Sequence, residues 1–559
     1  MMDVVYVTYN SEKWIEKCFT SWLQTDYDLK QVNIIIVDNN SADNTVSLLK
    51  NISKKYKEKF ASIKIILEDK NLGFGKANNI GFREGNSDIV CFFNIDTELF
   101  PDTLTSLQQE IEVSGEEVAL WELRQFPYEH PKLYDPLTGY TSWSSGAAFA
   151  MRRDIYDKLG GFDEQIFMYA EDVDLSWRIR SFGYKLKYVP RATIMHYAYS
   201  KANEIKPNQY VNSIINNLLL RYRFAGLRTV IEGHLRVWKC IMGEEVFEGS
   251  RKMLLKAYIG HFLRIMHFKN KKNTGRCREF YPTFLGFDYA PIRDGAFYYN
   301  EFPHTNPLVS VIVRTCGRPA ILRETLVSLK KQTYKNLEIV IVEDGEPISE
   351  KMIHEEFDDL NIVYQASGKK IGRSRAGNLA MSLAHGKYLN FLDDDDLFYA
   401  DHVEVLVHTL ESANCKAAYS FGFETPIEVF SKDPYRYEVK NYYGVHKQAF
   451  DKIILCHHNY IPIQCIMFEK TLFEEYGGLD ETVDALEDWD LWVRYSLHTN
   501  FECVEKTSSI YRVPYNRQIS NKRQKELDDA LIVMRNKHKK YLQTLSVYDI
   551  ALLYQKHIR

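Results

Sequence analysis

The stretch KYLNFLDDDDLF, residues 387–398, contains the pattern that decides the fold. Its apolar residues between Tyr388 and Leu392 predict a short buried strand. Four carboxylates, Asp393 to Asp396, follow directly. They repel one another, and open α/β sheets bind ligands at the carboxyl ends of their strands. The run therefore makes physical sense where a hard divalent cation and its phosphate ligands offset the repulsion. A solvated acidic turn is the alternative.

Composition predicts an ordinary soluble protein. The chain has 559 residues, 45% hydrophobic and 14% aromatic, which suits three or four domains or two large ones. A formal net charge of −4 favours neither nucleic acid nor an acidic partner. The nine cysteines are scattered without a CxxC pair, as is typical of a reducing cytoplasm. The start MMDVVYVTYN leaves no room for a signal sequence and no apolar run reaches transmembrane length, so we expect a cytoplasmic protein.

The chain repeats one plan twice. VVYVTYNSEKWIEKCFTSWLQTDYDLKQVNIIIVDNN (4–40) reads as strand, polar turn, amphipathic helix and apolar strand ending in an acid. VSVIVRTCGRPAILRETLVSLKKQTYKNLEIVIVEDGE (309–346) reads the same way. A strand, a crossover helix and a second apolar strand within some forty residues form a parallel βαβ unit. The sequence therefore predicts a tandem duplication.

Both copies continue in parallel. A glycine-bearing turn and helix, NLGFGKANNIGF (71–82) or KKIGRSRAGNLAM (369–381), precedes a buried strand that ends in acid. In the first copy that strand is DIVCFFNIDTELF (88–100). Further on, GGFDEQIFMYAEDVDLSWRIR (160–180) matches GGLDETVDALEDWDLWVRY (477–495) through a Gly-Gly turn and Glu-Asp-x-Asp-Leu-x-x-Arg. The recurrence favours a functional interpretation of the acidic run over a solvated turn.

At these motifs the chain resembles the family-2 glycosyltransferases, inverting enzymes of GT-A fold. The resemblance extends over about residues 3–200 and 308–516. The first copy is most similar to the rhamnosyltransferase-like branch, through VDNNSAD, NLGFGKANNIG, NIDTEL, FMYAEDVDLSWR and RATIMHY. The implied fold class is α/β, with two tandem GT-A domains that are Rossmann-like with a mixed central sheet.

The chain between and after the copies differs from them. We predict a first domain at 1–220, a basic helical extension at 221–287, a linker at 288–307, a second domain at 308–519 and a helical tail at 520–559. Residues 221–278 hold fourteen Lys or Arg against four acids, with apolar residues at helical spacing. Such a region either rests on an anionic membrane leaflet or packs on the first domain, and both interpretations stay open.

The resemblance implies transfer of a hexosyl or deoxyhexosyl group from a nucleoside-diphosphate sugar to a hydroxyl, with inversion. We expect a bifunctional, metal-dependent enzyme that extends a bacterial surface polysaccharide such as O-antigen or capsule, one sugar per domain. Its acceptor would be a glycan or lipid-linked glycan, with peripheral contact at the cytoplasmic face of the inner membrane and no nucleic-acid partner. For the first copy the resemblance points to dTDP-rhamnose.

Carboxylates that hold Mg²⁺ or Mn²⁺ stabilise the charge that develops on a leaving diphosphate. The resemblance implies Asp393 and Asp395 as ligands in the second copy, and Asp96 and His196 in the first. Asn94 stands where the first acid is expected, so the first copy has a weaker motif. A structural acidic turn and a structural histidine are the alternatives.

Inversion in one step needs a general base for the acceptor hydroxyl. The resemblance assigns this role to Asp172 and Asp488. Their neighbours Glu171 and Glu487 would orient the acceptor or raise the pKa of the base by like-charge coupling. A helix N-terminus that is merely rich in acids is the alternative.

The resemblance implies nucleotide contacts at the strand ends, and the glycine turns add further candidates. An acid suits the imide N–H of uracil or thymine, and glycine permits close backbone approach. Capping of a loop or helix is the alternative at each position. The residues are Thr8, Tyr9, Asp38, Gly73 and Asn78 in the first copy, and Arg314, Thr315, Glu343, Asp344, Gly372, Arg373, Arg375 and Asn378 in the second.

Three other functions fit part of the pattern. A two-site polymerase that alternates two sugars shares these folds, but such enzymes commonly carry a QxxRW motif and membrane spans, which the sequence lacks. A nucleotidyltransferase usually opens with a Gly-rich basic loop, also missing here. The non-enzymatic alternative is that one copy serves as a binding or scaffold module, and the first copy is the candidate because of its NID motif.

Overall fold

The chain forms two compact units, Met1–Asn300 and Glu301–Arg559. The division falls inside the predicted linker. Two tandem α/β units, each with one mixed sheet of the GT-A type, confirm the predicted fold class. The computed structural model describes residues 1–198, 204–270, 274–295, 305–483, 485–542, 546–548 and 551.

The first unit alternates strands with helices and then ends in helices. Its strands are β1 (Met2–Thr8), β2 (Val32–Asp38), β3 (Ser62–Leu67), β4 (Ile89–Asn94), β5 (Thr97–Leu99), β6 (Val118–Phe126), β7 (Tyr140–Thr141), β8 (Ala148–Arg152) and β9 (Lys185–His196). Its helices are α1 (Glu12–Trp22), α2 (Thr45–Tyr56), α3 (Phe74–Arg83), α4 (Thr103–Val113), α5 (Arg153–Leu159), α6 (Glu171–Ser181), α7 (Pro207–Phe224), α8 (Leu227–Met242), α9 (Ser250–His261) and α10 (Ile265–Lys269).

The nine strands of the first unit form one mixed sheet in the order β3-β2-β1-β4-β8-β6-β9-β5, with β7 paired to β9. Strands β1 to β4 are parallel, whereas β8 runs antiparallel to β4 and β6. The run Ile34–Val37 in β2 is buried throughout, as expected for a parallel strand covered on both faces. Trp22 of α1 closes one face, where its indole N–H donates to the Tyr6 hydroxyl at 2.8 Å.

The second unit repeats this plan. Its strands are β10 (Val309–Thr315), β11 (Leu337–Glu343), β12 (Ile362–Ala366), β13 (Tyr388–Phe391), β14 (Leu397–Phe398), β15 (Ala417–Lys432), β16 (Tyr435–Val439), β17 (Ile466–Glu469) and β18 (Phe501–Pro514). Its helices are α11 (Pro319–Lys330), α12 (Glu350–Glu356), α13 (Arg373–Leu383), α14 (His402–Ser412), α15 (Lys452–His457), α16 (Lys470–Tyr476), α17 (Glu487–Ser496) and α18 (Arg517–Leu542).

The second sheet has the same strand order as the first. It runs β12-β11-β10-β13-β17-β15-β18-β14, strand for strand the equivalent of the first sheet. The difference is the added strand, because β16 pairs with β15 whereas β7 pairs with β9. The duplication seen in the sequence is therefore a duplication of topology.

The segments outside the two sheets pack on their own units. The predicted boundary at 220 falls inside α7. The start of the predicted linker packs on the first unit, where the Leu133 N–H donates to the Pro291 carbonyl at 3.0 Å and Arg293 is 2% exposed. Residues 296–304 of that linker, and 543–545, 549–550 and 552–559 of the predicted tail, lie outside the described residues. In the part that is described, no helix has the length and apolarity to cross a bilayer.

Candidate active sites

Parallel pairing brings the functional strand ends together in each unit. Thr8, at the end of β1, lies in register with Asp38, at the end of β2, and Val7 pairs with Asn94 at the end of β4. In the second unit Thr315 lies in register with Glu343. The carboxyl ends of these strands form the edge where α/β sheets bind ligands.

Arginines neutralise the acidic run of the second unit. Both carboxylate oxygens of Asp393 accept hydrogen bonds from Arg314, at 2.7 Å each. Asp394 is fully buried, accepts a bond from the Thr315 hydroxyl at 2.7 Å and forms an ion pair with Arg318. Burial raises the pKa of Asp394 to about 7, although Arg318 opposes that shift. The run is a network of charge pairs at the strand end.

Asp395 is the most open carboxylate of the run. Its side chain is 40% exposed and its contact with Arg318 is 3.3 Å long, whereas the side chain of Asp393 is 27% exposed. Asp396 is buried and accepts the Arg512 backbone N–H at 3.1 Å. Of the two predicted cation ligands, Asp393 is already bonded to Arg314, and Asp395 is the more accessible. This ligand pair stays a prediction.

The first unit has a smaller polar group at the equivalent edge. Oδ1 of Asp96 lies 3.5 Å from Nε2 of His196, which is 7% exposed and comes from β9. Nδ1 of His196 lies 2.7 Å from Oε1 of Gln125, an acceptor, so this ring nitrogen donates there. Burial opposes ionisation of Asp96, but the hydrogen bond and charge of His196 outweigh it and lower its pKa.

The Asp96–His196 pair fits a divalent cation. An imidazole that donates its other N–H to an oxygen acceptor is the usual arrangement for a metal-binding histidine. In the described ranges no three His, Cys, Asp or Glu are grouped closely enough to hold a metal ion. A cation there would take its remaining ligands from substrate phosphates and water, as Mg²⁺ commonly does. Gln125 was missed by sequence reasoning because it lies on β6, 71 residues before His196.

Helices α6 and α17 contain the predicted general bases Asp172 and Asp488, and we call them the base helices. Both start in the same unusual way. Ala170, before α6, has φ 69°, and Leu486, before α17, has φ 59°. Left-handed conformations cost energy for residues with a side chain and are found at functional sites. The first turn of each helix holds three acids, Glu171, Asp172 and Asp174 in α6 and the equivalent three in α17, where the helix dipole favours negative charge.

Asp172 lies beside the end of β4. Its Oδ2 accepts the Gly146 N–H at 2.9 Å, and the next carbonyl, of Ala147, accepts the Asn94 N–H at 2.8 Å. Burial raises the pKa of Asp172. Burial and then the Asp172 charge raise the pKa of Glu171 well above its usual range, and its Oε2 has no hydrogen-bond partner among the described residues.

Arg314 joins the base helix of the second unit to its acidic strand end. Besides Asp393, it donates to Oε1 of Glu487 at 2.9 Å. Asp488 accepts from the Asn459 amide at 3.2 Å. Burial, followed by the charge of Glu487, raises the pKa of Asp488 to about 7, which suits a base working near neutral pH.

The acids predicted to contact the nucleobase also accept hydrogen bonds from residues of their own loops. Asp38 accepts from the Thr8 hydroxyl at 2.8 Å and from the Ser41 N–H at 2.9 Å. Glu343 is fully buried and accepts from the Ser349 N–H at 2.9 Å. Their contact with a nucleotide stays a prediction. Tyr9 is 52% exposed and open to a ligand.

One side chain ties each strand end to its glycine turn, the predicted Asp344 in the second unit and Asn39, which sequence reasoning missed, in the first. Asp344 accepts the Gly372 N–H at 3.1 Å, and Asn39, at the equivalent position of the first unit, donates to the Gly73 carbonyl at 3.1 Å. Gly73 has φ 84°, and a Cβ there would lie 2.4 Å from the Phe167 carbonyl oxygen. The matching VDNN and VEDG stretches carried the signal for Asn39.

The helices after the glycine turns hold the Gly-Gly turns in place. Asn378 donates to the Leu479 carbonyl at 2.9 Å, and Asn79, not the predicted Asn78, makes the equivalent bond to Phe162 at 2.9 Å. Asn78 donates within α3, to the Phe74 carbonyl at 3.1 Å. A nucleotide contact of these amides stays a prediction.

The two predicted arginines at the start of α13 differ in their surroundings. Arg375 donates to Glu481 at 3.1 Å. The side chain of Arg373 is 62% exposed and lies 3.9 Å from Glu487, so it is the freer candidate for a diphosphate.

A cation from a later helix pairs with each base helix, and no local pattern predicted this contact. In the first unit Arg223 of α7 forms buried ion pairs with Asp163, of the Gly-Gly turn, and with Asp174, two residues after the base. In the second unit Lys537 of α18 pairs with Asp480 and, at 2.8 Å, with Asp490. We call these triads the clamps. Each joins the Gly-Gly turn, the base helix and the helix that follows the sheet.

Each of the base helices also contains an ion pair between residues four positions apart. Arg178 donates to Asp174 at 2.7 Å, and Arg494 donates to Asp490 at 2.9 Å. These aspartates therefore serve the structure of the helices, as their spacing of four residues indicates.

Comparison with known proteins gives the same two regions. The Glycosyl transferase family 2 pattern matches residues 3–174 and 310–477. An uncharacterised glycosyltransferase of Rickettsia prowazekii is 28% identical over 193 residues, 34% of this chain and 59% of that protein. The N-acetylglucosaminyl-diphospho-decaprenol L-rhamnosyltransferase of Mycobacterium tuberculosis is 25% identical over 313 residues, 46% of this chain and 98% of that protein. The chain spans 59% of the length of the R. prowazekii and Rickettsia typhi relatives.

Solved structures with some similarity include a Pyrobaculum calidifontis mannosyltransferase in complex with GDP-Man and Mn²⁺, with 15% identity, a TM-score of 0.33 and coverage of 48% of this chain and 83% of that chain. S. aureus TarS has 17% identity, a TM-score of 0.34 and coverage of 47% and 49%. The family match covers more than half of the chain, in both units. The chain belongs to glycosyl transferase family 2.

Proposed function

We propose that both units are inverting glycosyltransferases that use nucleoside-diphosphate sugars, one sugar per unit. The observation that carries the proposal is the repeated base helix. Asp172 and Asp488 are each the second residue of a helix that follows a left-handed residue. Asp172 accepts from Gly146 beside the end of β4, and Glu487, next to Asp488, is bonded to Arg314 at the acidic strand end. A role confined to helix capping does not require the left-handed residue and the Glu-Asp pair to recur together in both units.

The proposed chemistry is a single displacement. The aspartate carboxylate takes the proton of the acceptor hydroxyl as that oxygen forms a bond to the anomeric carbon. The bond from the anomeric carbon to the diphosphate oxygen breaks, and its electron pair leaves with the nucleoside diphosphate. Attack from the opposite side inverts the anomeric carbon.

Positive charge at the strand ends supports departure of the diphosphate. In the first unit Asp96 and His196 would hold a divalent cation, which stabilises negative charge on the departing oxygens when bound. In the second unit Asp393 and Asp395 are the proposed ligands, while Arg314, Arg318 and Arg373 already bring three guanidinium groups to this edge.

We further propose a lipid-linked glycan acceptor at the cytoplasmic face of a bacterial inner membrane, within synthesis of a surface polysaccharide. The similarity to a rhamnosyltransferase named for a diphospho-decaprenol acceptor supports this part, and it supports dTDP-rhamnose as the donor of the first unit. The donor of the second unit is left to the experiment.

A panel of nucleotide sugars with a synthetic lipid-linked acceptor tests the proposal. The wild type is compared with Asp172→Asn and Asp488→Asn, and products are sized and their linkages determined. We expect each variant to lose one transfer and retain the other. If Asp172→Asn keeps both transfers, the first unit is a binding module. Products that grow by alternating sugars beyond two additions identify a polymerase.

A further inference from the structure

Helix α8 has an apolar stripe that its own unit leaves exposed. The stripe residues follow one another at three or four positions, so they share one side of the helix. They are Leu227, Ile231, Leu235, Trp238 and Met242, exposed by 75%, 51%, 65%, 44% and 75%. The core contacts of α8 come from another side, through Val230, Val237 and Ile241, each at most 7% exposed. The helix therefore has two apolar faces and buries one.

A second stripe continues over α9, the 3-10 turn Phe262–Arg264 and α10. Its members are Leu255, Ile259, Phe262, Leu263 and Met266, exposed by 39%, 63%, 52%, 91% and 67%. The two stripes adjoin, since the Trp238 ring lies 5.6 Å from that of Tyr258 and the His234 ring stacks on Phe262 at 6.4 Å. We call the ten residues of both stripes the apolar surface. In the described residues of the first unit nothing covers it.

Basic side chains flank the apolar surface. Arg228 and Lys239 lie on the charged side of α8, and Arg251, Lys252 and Lys256 lie on α9, all exposed. Soluble proteins rarely leave a large continuous apolar patch open to water. An apolar stripe next to lysines and arginines is the pattern of a helix that lies in the interface of an anionic bilayer.

We infer that α8 and α9 dock the first unit on a bilayer with anionic headgroups. The apolar surface would enter the boundary between headgroups and acyl chains, and the flanking lysines and arginines would contact lipid phosphates. The charge complementarity favours a membrane over a second copy of the chain, because that copy would bring the same positive charge to the contact. Both interpretations of the basic region then hold, since one face packs on the unit and another faces lipid. The inference does not depend on the proposed transferase activity.

Vesicle sedimentation of the full chain tests this inference. We expect binding to vesicles of phosphatidylglycerol and phosphatidylcholine, weaker binding at high salt, and little binding to phosphatidylcholine alone. The double variant Leu235→Glu/Ile259→Glu should reduce binding by about tenfold or more, because it places two charges in the apolar surface. Ile532→Glu/Val533→Glu is the matched control, since these residues of α18 are exposed by 64% and 59%.

The substituted side chains are exposed, so thermal unfolding should match the wild type and show that the variants fold. Unchanged vesicle binding of Leu235→Glu/Ile259→Glu would overturn the inference. Equal binding to neutral and anionic vesicles would also overturn it. If the wild type instead forms dimers without lipid and the double variant abolishes them in sedimentation velocity, a second copy covers this surface and the membrane assignment is wrong.

Discussion

The carboxyl ends of the parallel strands form equivalent edges in the two sheets, but the side chains there carry different charges. In the second unit Arg314 neutralises Asp393 and Arg318 neutralises Asp394. The register of the first strands puts Val7 in place of Arg314, and Asn94 takes the place of Asp393. The arginine and its acid are thus present together or absent together.

This comparison shows why an acidic motif has to be interpreted with its neighbours. Asp393 to Asp396 offer more carboxylates to a cation than the NID motif, residues 94–96, does. Most of their negative charge, however, is already paired with arginines. The first unit has one carboxylate and an imidazole whose other nitrogen is bonded to Gln125. In the second unit Leu397 of β14 pairs with Ile510 of β18, and Tyr511 is the next residue of β18. Tyr511 therefore lies at the position equivalent to His196, which pairs with Thr97 in the first unit.

The largest expected effect separates the two units as catalysts. Asp172→Asn and Asp488→Asn should each lower kcat of their own unit by about 10²–10⁴-fold, because loss of a general base costs that much. Calorimetric titration with the donor should show that binding persists. A loss in only one variant would mean that the units are unequal and that one of them does not transfer.

The clamps give the next largest effect, on stability. Arg223→Met removes the shared partner of two buried carboxylates and should destabilise the first unit by about 1–3 kcal/mol, although Arg178 still pairs with Asp174. Lys537→Met should cost less, because the Lys537 side chain is 23% exposed whereas that of Arg223 is 1% exposed. Calorimetric unfolding of the full chain measures both.

Arg223→Lys is the conservative variant and should recover most of the stability. Lys64→Met removes an exposed pair with Glu84 and serves as the control with little effect. Equal unfolding temperatures for Arg223→Met and Lys64→Met would show that the clamp of the first unit is not a structural element.

Cation affinity should distinguish the two edges by a smaller factor. Gln125→Ala frees the His196 ring to reorient and should weaken Mn²⁺ binding to the first unit by about 10–100-fold, the usual effect of losing such a partner. Mn²⁺ titration by electron paramagnetic resonance, in the presence of a nucleoside diphosphate, measures this. Tyr511→Phe, at the equivalent place of the second unit, should leave Mn²⁺ binding unchanged. The same loss in both variants would contradict the proposed difference.

The smallest effect is a shift in pH dependence. Asp488 must be ionised to take a proton and its pKa is raised to about 7, so transfer by the second unit should rise as pH increases through about 7. Asn459→Ala removes a hydrogen bond that stabilises the carboxylate and should move this rise to higher pH. Rates are compared in an Asp172→Asn background. An unchanged pH profile in Asn459→Ala would show that ionisation of a group other than Asp488 causes the rise in rate.

The sequence alone determined the duplication, the α/β class and the family, because glycine turns, apolar strands and paired acids recur in order and depend on local spacing. The acid-rich motifs also indicated the helices that begin at Glu171 and Glu487. The tertiary structure decided which charges meet. Arg314 reaches Glu487 over 173 residues, Gln125 reaches His196 over 71, and Arg223 joins Asp163 and Asp174 from a helix outside the repeated motifs. Such pairs depend on the register of distant strands and on helix docking, which no local pattern encodes.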